Sequence, residues 1–324
     1  MSDISRAEEW YLAFDIGGTK IASGLVAFPS EGDAVCESVR SVPTRAMDGG
    51  DSVVERLVAC ARVMLGIARA QGRKILGIGV GSAGVVDSDN GIIVSATSLM
   101  PGWAGQEIGR VLGEACGMSV HVIGDVGAHG LGEALYGAGK SYASILSVGV
   151  GTGIGGAYVD HGILMSGAHG VAGHVGHMPH PLGKGVLCSC GTMSGHIEPV
   201  ASGTGLATLY NLRRLSNIVP VADGREVVCR AAEGERLAIG VLRDSARALG
   251  ECLAGLGNLF DPEAIVLSGS VVGAGRLWWD ALQEGFQDGA LFLVRQTPLI
   301  QGALGDAAPL IGAAAACRVS MSRE

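Results

Sequence analysis

No stretch of 18 apolar residues occurs in the chain, which excludes a conventional membrane-spanning helix. The opening MSDISRAEEWYLAFD is acidic and lacks both the basic region and the long apolar stretch of a secretory leader, so a soluble, cytoplasmic protein is expected. Lys and Arg nowhere cluster, and the formal net charge is −8. Phosphate backbones and anionic lipid surfaces need clustered cations, so neither nucleic acid nor membrane is expected as a partner. Eight cysteines scattered over 324 residues lack the spacing of a disulfide framework. They read as reduced thiols, with the close pair Cys188 and Cys190 set apart as a hint of metal.

What the chain has instead is apolar mass and glycine. An apolar content of 48% over 324 residues can bury about two cores at ~150 residues per domain, and two domains make a cleft available. The 54 glycines fall in strand-like segments without a collagen period, a pattern of tight turns and close backbone approach. Tyr11 to Ile16 is an apolar run broken at Gly17-Gly18-Thr19-Lys20, and Ile21 to Ala27 reads as a returning strand. Helical spacing follows over 51–71, a buried strand at Ile75 to Val80, a helix over 105–117, a strand at Val120 to Ile123, and a helix over 126–136. The first device then recurs: Ala143 to Val148, a glycine turn from Gly149 to Gly156, and a strand restarting at Ala157. Such an echo predicts two similar α/β domains. Helical periodicity dominates from about 200 to 259, Ala264 to Ser268 reads as a strand ending in Gly269, and Asp306 opens a final Ala-rich helix.

The two glycine turns carry chemistry as well as shape. In Asp15-Ile16-Gly17-Gly18-Thr19-Lys20, backbone N–H groups are open to phosphate oxygens, Thr19 adds a hydroxyl donor, and Asp15 can hold Mg²⁺ through water. Gly-Gly alone equally describes an ordinary hairpin, and it is the flanking Asp, Thr and Lys that favour phosphate. The second turn, Gly151-Thr152-Gly153-Ile154-Gly155-Gly156, matches a dinucleotide fingerprint in letters only. No helix opens there, and Ala172-Gly173-His174 stands where an acidic residue belongs. Gly137-Ala138-Gly139-Lys140-Ser141 likewise fails as a Walker A loop, because Ala134 occupies the position of the first glycine.

Five of the eight histidines (His169, His174, His177, His180 and His196) lie between 169 and 196, around Cys188-Ser189-Cys190. His177, Cys188, Cys190 and His196 offer a tetrahedral nitrogen and sulfur set suited to structural Zn²⁺. Four protein ligands close the metal, which speaks against a zinc hydrolase. Surface histidines beside two inert thiols are the bland alternative.

Read together, Asp15-Ile-Gly-Gly-Thr-Lys20, the Gly-Thr-Gly-Ile-Gly-Gly turn, Gly176-His177, Cys188-x-Cys190-Gly191 with Gly195-His196-x-Glu198, and Gly305-Asp-Ala-Ala-Pro-Leu-Ile-Gly312 resemble the ROK family of sugar kinases and repressors over nearly the whole chain. The resemblance implies an α/β, two-domain, actin-like ATPase (hexokinase/ribonuclease H-like) fold with an interdomain cleft. On it, residues 1–120 with the C-terminal helix 305–324 form a small domain, and 121–304 a larger one carrying a zinc loop at 174–198. It further implies ATP and Mg²⁺ as cofactors, a sugar as substrate, and a homodimer, which apolar helical residues 240–260 could support. Asp125, which alone would read as a helix N-cap, becomes the catalytic base. Gly269 joins Asp15, Gly17, Gly18, Thr19, Lys20, Gly151, Thr152 and Gly153 as the ATP and phosphate set. Gly84, Ser98, Gly124, Asp125, His174, His177 and Glu198 form the sugar set.

Several positions depart from the family pattern. The usual Asn before the catalytic Asp is Gly124, the usual Asn-Leu is Ser98-Leu99, the usual Glu ahead of the zinc histidine is His174, and His196 replaces a third zinc cysteine. Gly-His-x-Gly-His resembles bacterial N-acetylmannosamine kinases more than glucokinases. The expected reaction is transfer of the γ-phosphate of ATP to a hydroxyl, the 6-OH, of a hexose or N-acetylhexosamine, with N-acetylmannosamine and glucose foremost. Only 14 residues precede Asp15, too few for the DNA-binding module of the repressors. A sugar-binding protein without kinase activity is the alternative.

Overall fold

Strand β1 (Glu9–Ile16) is buried along almost its whole length and turns straight back into β2 (Lys20–Phe28), and from this hairpin the first sheet grows. The computed structural model describes residues 9–29 and 32–322; residues 1–8 of the opening and 323–324 of the final boundary lie outside them. The next elements are β3 (Val35–Pro43), α1 (Gly50–Ala70), β4 (Ile75–Ser82), β5 (Val85–Asp87), β6 (Ile92–Ser95), α2 (Ile108–Cys116), β7 (Val120–Gly124) and α3 (Asp125–Tyr136). There follow β8 (Ser144–Val150), β9 (Ile154–Asp160), β10 (Ile163–Leu164), α4 (Glu198–Ala201), α5 (Gly203–Arg213), α6 (Gly224–Ala232) and α7 (Arg236–Phe260). The chain then closes with β11 (Ala264–Ser268), α8 (Arg276–Gly289), β12 (Leu299–Gln301) and α9 (Ala308–Met321).

The chain divides into two units. The first takes the described chain up to Lys140, Ala157–Ala172 and the segment from Ala303 onward; the second takes Ser141–Gly156 and Gly173–Gly302. The larger domain expected from the sequence began at 121, within β7; here β7 and α3 belong to the first unit. The cause lies in helix packing. A Cβ on Gly312 of α9 would overlap the carbonyl of Ala128, and one on Gly132 of α3 would overlap that of Ala308, so the two helices touch backbone to backbone and bind α3 to the C-terminal helix.

The first sheet has the order β3-β2-β1-β4-β7 and the second β10-β9-β8-β11-β12. In both, the strand that opens the glycine turn is central, its hairpin partner lies on one side, and strands parallel to it lie on the other. The repeated device in the sequence is therefore a repeated topology.

In the first unit the core runs from Leu12, Phe14 and Ile16 through Leu57, Met64 and Ile78 to the fully buried Trp103. In the second, α7 and α8 pack on each other and bury Val241, Leu242, Leu249 and Leu253, so much of the apolar face of residues 240–260 is core, the ordinary role of an apolar helix face, while Leu259 stays exposed. Two helix starts shift from the sequence reading. Helix α2 begins at 108 and not 105, because Gly105 has φ +91° and donates its N–H to Ile93 O at 2.7 Å. Asp306 lies in a single 3-10 turn, Gly305–Ala307, and α9 opens two residues later with Pro309 in its first turn. Among the described residues no helix is long and apolar enough to cross a membrane.

Candidate active site and metal centre

Strands β1, β4 and β7 are parallel neighbours, and their registers pair Asp15 with Gly81, Ile16 with Ser82, and Ser82 with Gly124. Asp15 and the Gly124-Asp125 pair thus leave the same carboxyl edge of one sheet, the edge at which α/β folds place ligands. Asp125 is the first residue of α3, where the helix dipole favours a negative charge, and its Oδ1 accepts the N–H of Val126 at 2.8 Å. Burial, with the negative charge of Asp125 next in importance, pushes the Asp15 carboxyl up to about 6; Lys20 opposes the shift and Asp306 adds to it. Lys20 Nζ stands 3.7 Å from Asp306 Oδ2, both exposed.

The first glycine turn is held from behind. Gly17 N–H donates to Lys20 O at 3.0 Å, closing the hairpin, while buried Thr44 donates its hydroxyl to Gly17 O at 2.6 Å and its N–H to Thr19 O at 2.9 Å. Arg56 in turn donates to Thr44 O. Turn carbonyls are consumed on the protein side, leaving the exposed Gly18, Thr19 and Lys20 to solvent and ligand. Behind β4, Trp103 Nε1 donates to Ser82 Oγ at 3.2 Å and to Ala83 O at 3.1 Å, fixing the strand end beside Gly124. Further along α3, fully buried Glu133 accepts the N–H groups of Leu304 at 2.9 Å, Ala303 at 3.0 Å and Ala138 at 2.9 Å. It fastens the helix that begins at Asp125 to the segment leading into α9.

In the second unit, the turn Gly151-Thr152-Gly153 is closed by Gly151 N–H donating to Gly153 O at 3.0 Å. The N-terminus of α5 pins it: Gly203 N–H donates to Gly151 O at 2.7 Å and Thr204 Oγ1 to Thr152 O at 2.7 Å. Ser202 caps α5 by accepting Gly205 N–H at 3.0 Å, and Asp223 caps α6 by accepting Glu226 N–H at 3.0 Å. Gly269 adopts φ +100°, and a Cβ there would sit 2.5 Å from Val150 O, so only glycine lets β11 end against β8 at this turn. Around these features lies a cavity of about 690 Å³, lined by Gly151, Thr152, the first residues of α5 and α6, and Ser270 to Ala274. A glycine turn with helix N-termini at one cavity is an arrangement that accepts phosphate.

The donor atoms of His177, Cys188, Cys190 and His196 all lie within 4.8 Å of one another. Cys188 Sγ is 3.4 Å from His177 Nδ1, and Cys190 Sγ is 3.5 Å from His196 Nδ1. Tetrahedral zinc with Zn–S near 2.3 Å and Zn–N near 2.0–2.1 Å requires sulfur and nitrogen ligands about 3.6 Å apart, so the residues fit the ion. The loop is shaped for this by Cys188 N–H donating to Thr192 O at 2.8 Å and Gly191 N–H to Cys188 O at 2.9 Å. Ser194 Oγ lies 2.8 Å from His196 Nε2; in the tautomer protonated at Nε2 the hydroxyl oxygen accepts that N–H, and Nδ1 is the nitrogen left to ligate. Burial lowers the pKa of His177 and raises that of Cys188, while the Thr192 hydroxyl lowers that of Cys190.

A model of the ROK family matches residues 11–319. The chain belongs to the ROK family. It is 30% identical over 288 residues to a glucokinase of Thermotoga maritima, covering 86% of this chain and 87% of that protein. The ROK hexokinase from Thermus thermophilus superposes with a TM-score of 0.80 at 32% identity, over 97% of this chain and all of that one. A ROK glucokinase from Streptomyces griseus, solved with glucose and AMPPNP, superposes with a TM-score of 0.77 at 29% identity, over 96% of this chain and 99% of that one. The architecture is the actin-like ATPase fold of the ROK hexokinases.

Within this ROK chain the residues singled out from sequence fall into groups. Asp15, Gly17, Gly18, Thr19, Lys20, Gly124 and Asp125 belong to the first unit, with Gly84 (φ +99°) in the turn between β4 and β5 and Ser98 exposed on the loop between β6 and Trp103. Gly151, Thr152, Gly153, Gly269, Glu198 and the four metal-ligand candidates belong to the second, where exposed His174 stacks its ring 5.9 Å from that of His177. Sequence reading missed Thr44, Trp103, Thr204 and the anchoring by Glu133. For Thr44, Trp103 and Glu133, all buried, the available signal was a polar group that needs a partner; Thr204 is exposed and carried no such signal.

Proposed function

We propose that this ROK sugar kinase transfers the γ-phosphoryl group of ATP to the 6-OH of a hexose or N-acetylhexosamine, glucose and N-acetylmannosamine being the foremost candidates. The observation that carries the reading is the placement of Asp125, first residue of α3, on the same carboxyl sheet edge as Asp15. Asp125 accepts the hydroxyl proton of the sugar as its oxygen attacks phosphorus. Phosphoryl transfer otherwise asks mainly for positioning and charge stabilisation, which the two glycine turns supply through backbone N–H groups. Asp15 would hold Mg²⁺, which would supply charge neutralisation at the phosphates; burial, and after it the negative charge of Asp125, raise the Asp15 carboxyl, and a cation would relieve the second of these.

The zinc set is structural in this reading. His177, Cys188, Cys190 and His196 close a tetrahedral site, leaving no open position, and so order the loop that carries His174, His177 and Glu198 toward the sugar. The absence of disulfides among the described cysteines and the dependence on ATP fit a cytoplasmic setting.

A second reading, sugar binding without phosphoryl transfer, is favoured by one observation: Gly124 offers no side chain beside Asp125. An ADP-release assay with zinc-loaded protein over glucose, mannose, N-acetylglucosamine, N-acetylmannosamine and allose separates the two. Turnover on one of them, abolished in Asp125→Ala with the fold intact, supports the kinase. Sugar-dependent thermal stabilisation with no ADP release on any of them supports the binding protein.

A further inference from the structure

We infer that the cavity of the second unit selects its nucleotide by shape and not by base identity, so that GTP and ITP serve as phosphoryl donors alongside ATP. The inference rests on the kinase reading and on this cavity being its nucleotide site.

A binding site rejects a wrong base strongly only where uncommitted donors and acceptors face the base edge. The polar side chains of this cavity are in large part committed to the protein. Asn211 donates one amide hydrogen to Val221 O at 2.9 Å and accepts Val221 N–H at 3.0 Å, which spends the bidentate edge of the amide and leaves one N–H and one lone pair that point apart. Thr208 donates to Thr204 O at 3.0 Å, and Thr204 donates to Thr152 O at 2.7 Å. Asp223 accepts Glu226 N–H at 3.0 Å through one oxygen and faces Arg225 Nε at 3.5 Å with the other. The Arg225 side chain is 91% exposed, a solvated group at the rim.

The remaining hydroxyls in the wall, Thr152 and Ser270, adjoin the glycine turn and Gly269, where phosphate is expected and a base is not. The rest of the lining is apolar, from Leu206, Ala207, Val228, Val271 and Ala274, together with the thiol of Cys229. A volume of about 690 Å³ exceeds that of a purine nucleoside and leaves room for a 2-amino or 6-oxo group. Apolar walls distinguish a two-ring base from a one-ring base through contact area, and they do not tell adenine from guanine. With GTP the chemistry is unchanged: the bond from the γ-phosphorus to the β-bridging oxygen breaks, a bond to the sugar oxygen forms, the hydroxyl proton passes to Asp125, and GDP leaves.

The test compares kcat/KM for ATP, GTP, ITP and CTP on the preferred sugar, with titration of ADP and GDP into the same protein. GTP and ITP within about tenfold of ATP, and CTP weaker than all three, are expected; an apolar pocket supplies only ~10–200-fold discrimination per lost contact group. A preference for ATP over both other purines by more than about 10³-fold overturns the inference. Cys229→Trp and, separately, Val228→Trp place an indole into the cavity from an exposed and a half-buried position. Either is expected to weaken ADP and GDP together by at least about tenfold, with the circular dichroism spectrum and sugar-induced thermal shift retained. If both variants bind ADP and GDP as the parent does, the bases do not sit in this cavity and the inference fails, while ATP turnover leaves the kinase reading standing. If no nucleotide is turned over, GTP and ITP are not donors, and the inference and the kinase reading fail together even where ADP and GDP bind alike and both variants weaken them.

Discussion

Glu198 Oε2 accepts the backbone N–H of Ile154 at 3.0 Å, while its other carboxylate oxygen accepts the hydroxyl of Ser189. One side chain therefore joins the second glycine turn to the segment between the two loop cysteines. Glu198→Gln can keep both bonds, its oxygen toward Ile154 and its amide toward Ser189, and it is expected to retain fold and metal. It loses the charge that would hold a sugar hydroxyl, so the sugar KM rises about tenfold or more, the worth of a charge-assisted hydrogen bond at ~1.5–3 kcal/mol. Glu198→Ala also leaves Ile154 N–H without a partner, and its unfolding free energy falls by about 1–3 kcal/mol. Sugar saturation kinetics and denaturant unfolding measure the two effects; an unchanged KM in Glu198→Gln counts against a sugar contact.

Purified protein is expected to carry close to one zinc per chain by metal analysis. Cys188→Ser loses it, because thiolate is the stronger zinc ligand at this buried position, whereas His196→Cys keeps it, since either residue type completes a tetrahedral set. Chelation lowers the thermal midpoint of the parent and of His196→Cys, and leaves that of Cys188→Ser unmoved. Less than about half a zinc per chain, with no response to chelator, rules the site out.

Asp125→Asn preserves the acceptor for Val126 N–H and so preserves the start of α3. It removes the proton acceptor, and kcat is expected to fall about 10²–10⁴-fold with sugar affinity and thermal midpoint nearly unchanged. Pre-steady-state measurement of the chemical step is the check; a fall confined to KM contradicts the assignment.

The raised carboxyl of Asp15 gives a signed pH dependence. Its pKa in the fold, about 6, lies above the ordinary 3.8, so protonation favours the folded chain. That stabilisation is full below pH 3.8 and is lost as pH rises through about 6. In the absence of divalent ions, the thermal midpoint from pH 5 to pH 7.5 falls more in the parent than in Asp15→Asn, and Mg²⁺ recovers the difference at pH 7.5 in the parent alone. Equal slopes in the two proteins show that Asp15 does not titrate in this range.

At Gly124 the backbone has φ −62° and ψ 144°, an extended conformation open to any residue, and a Cβ there would meet nothing within 4 Å. Gly124→Asn is expected to change stability by no more than about 0.5 kcal/mol, as for an unconstrained site. It adds an amide beside the proposed base, and the ratio of kcat/KM between glucose and N-acetylmannosamine shifts at least about fivefold. If both sugars change together, or neither does, the position does not read the sugar.

Much of this arrangement is legible without coordinates, and the legible parts share a cause. The hairpin of β1 and β2 and the metal set are local in sequence, so periodicity and residue type suffice to find them. Strand β3 is different: it alternates exposed and half-buried residues at the sheet edge and includes Ser38 at φ +53°, so it carries no buried run to betray it. The adjacency of Asp15 and Asp125 is also invisible locally, because it arises from parallel pairing of strands far apart in the chain. The Thr44 clamp on the first turn is of the same kind, a contact across 27 positions.

The close packing of α3 against α9 has a consequence for the order in which the protein can be made. Helix α9 covers β1, β4 and α3, yet it is translated after every other element of the described residues. The second unit has all its residues once Gly302 is synthesised, whereas the unit holding Asp15 and Asp125 lacks its covering helix until α9 has left the ribosome. Of the two units, the one that begins first is completed second, and its sheet waits for the synthesis of the second unit before the closing helix arrives.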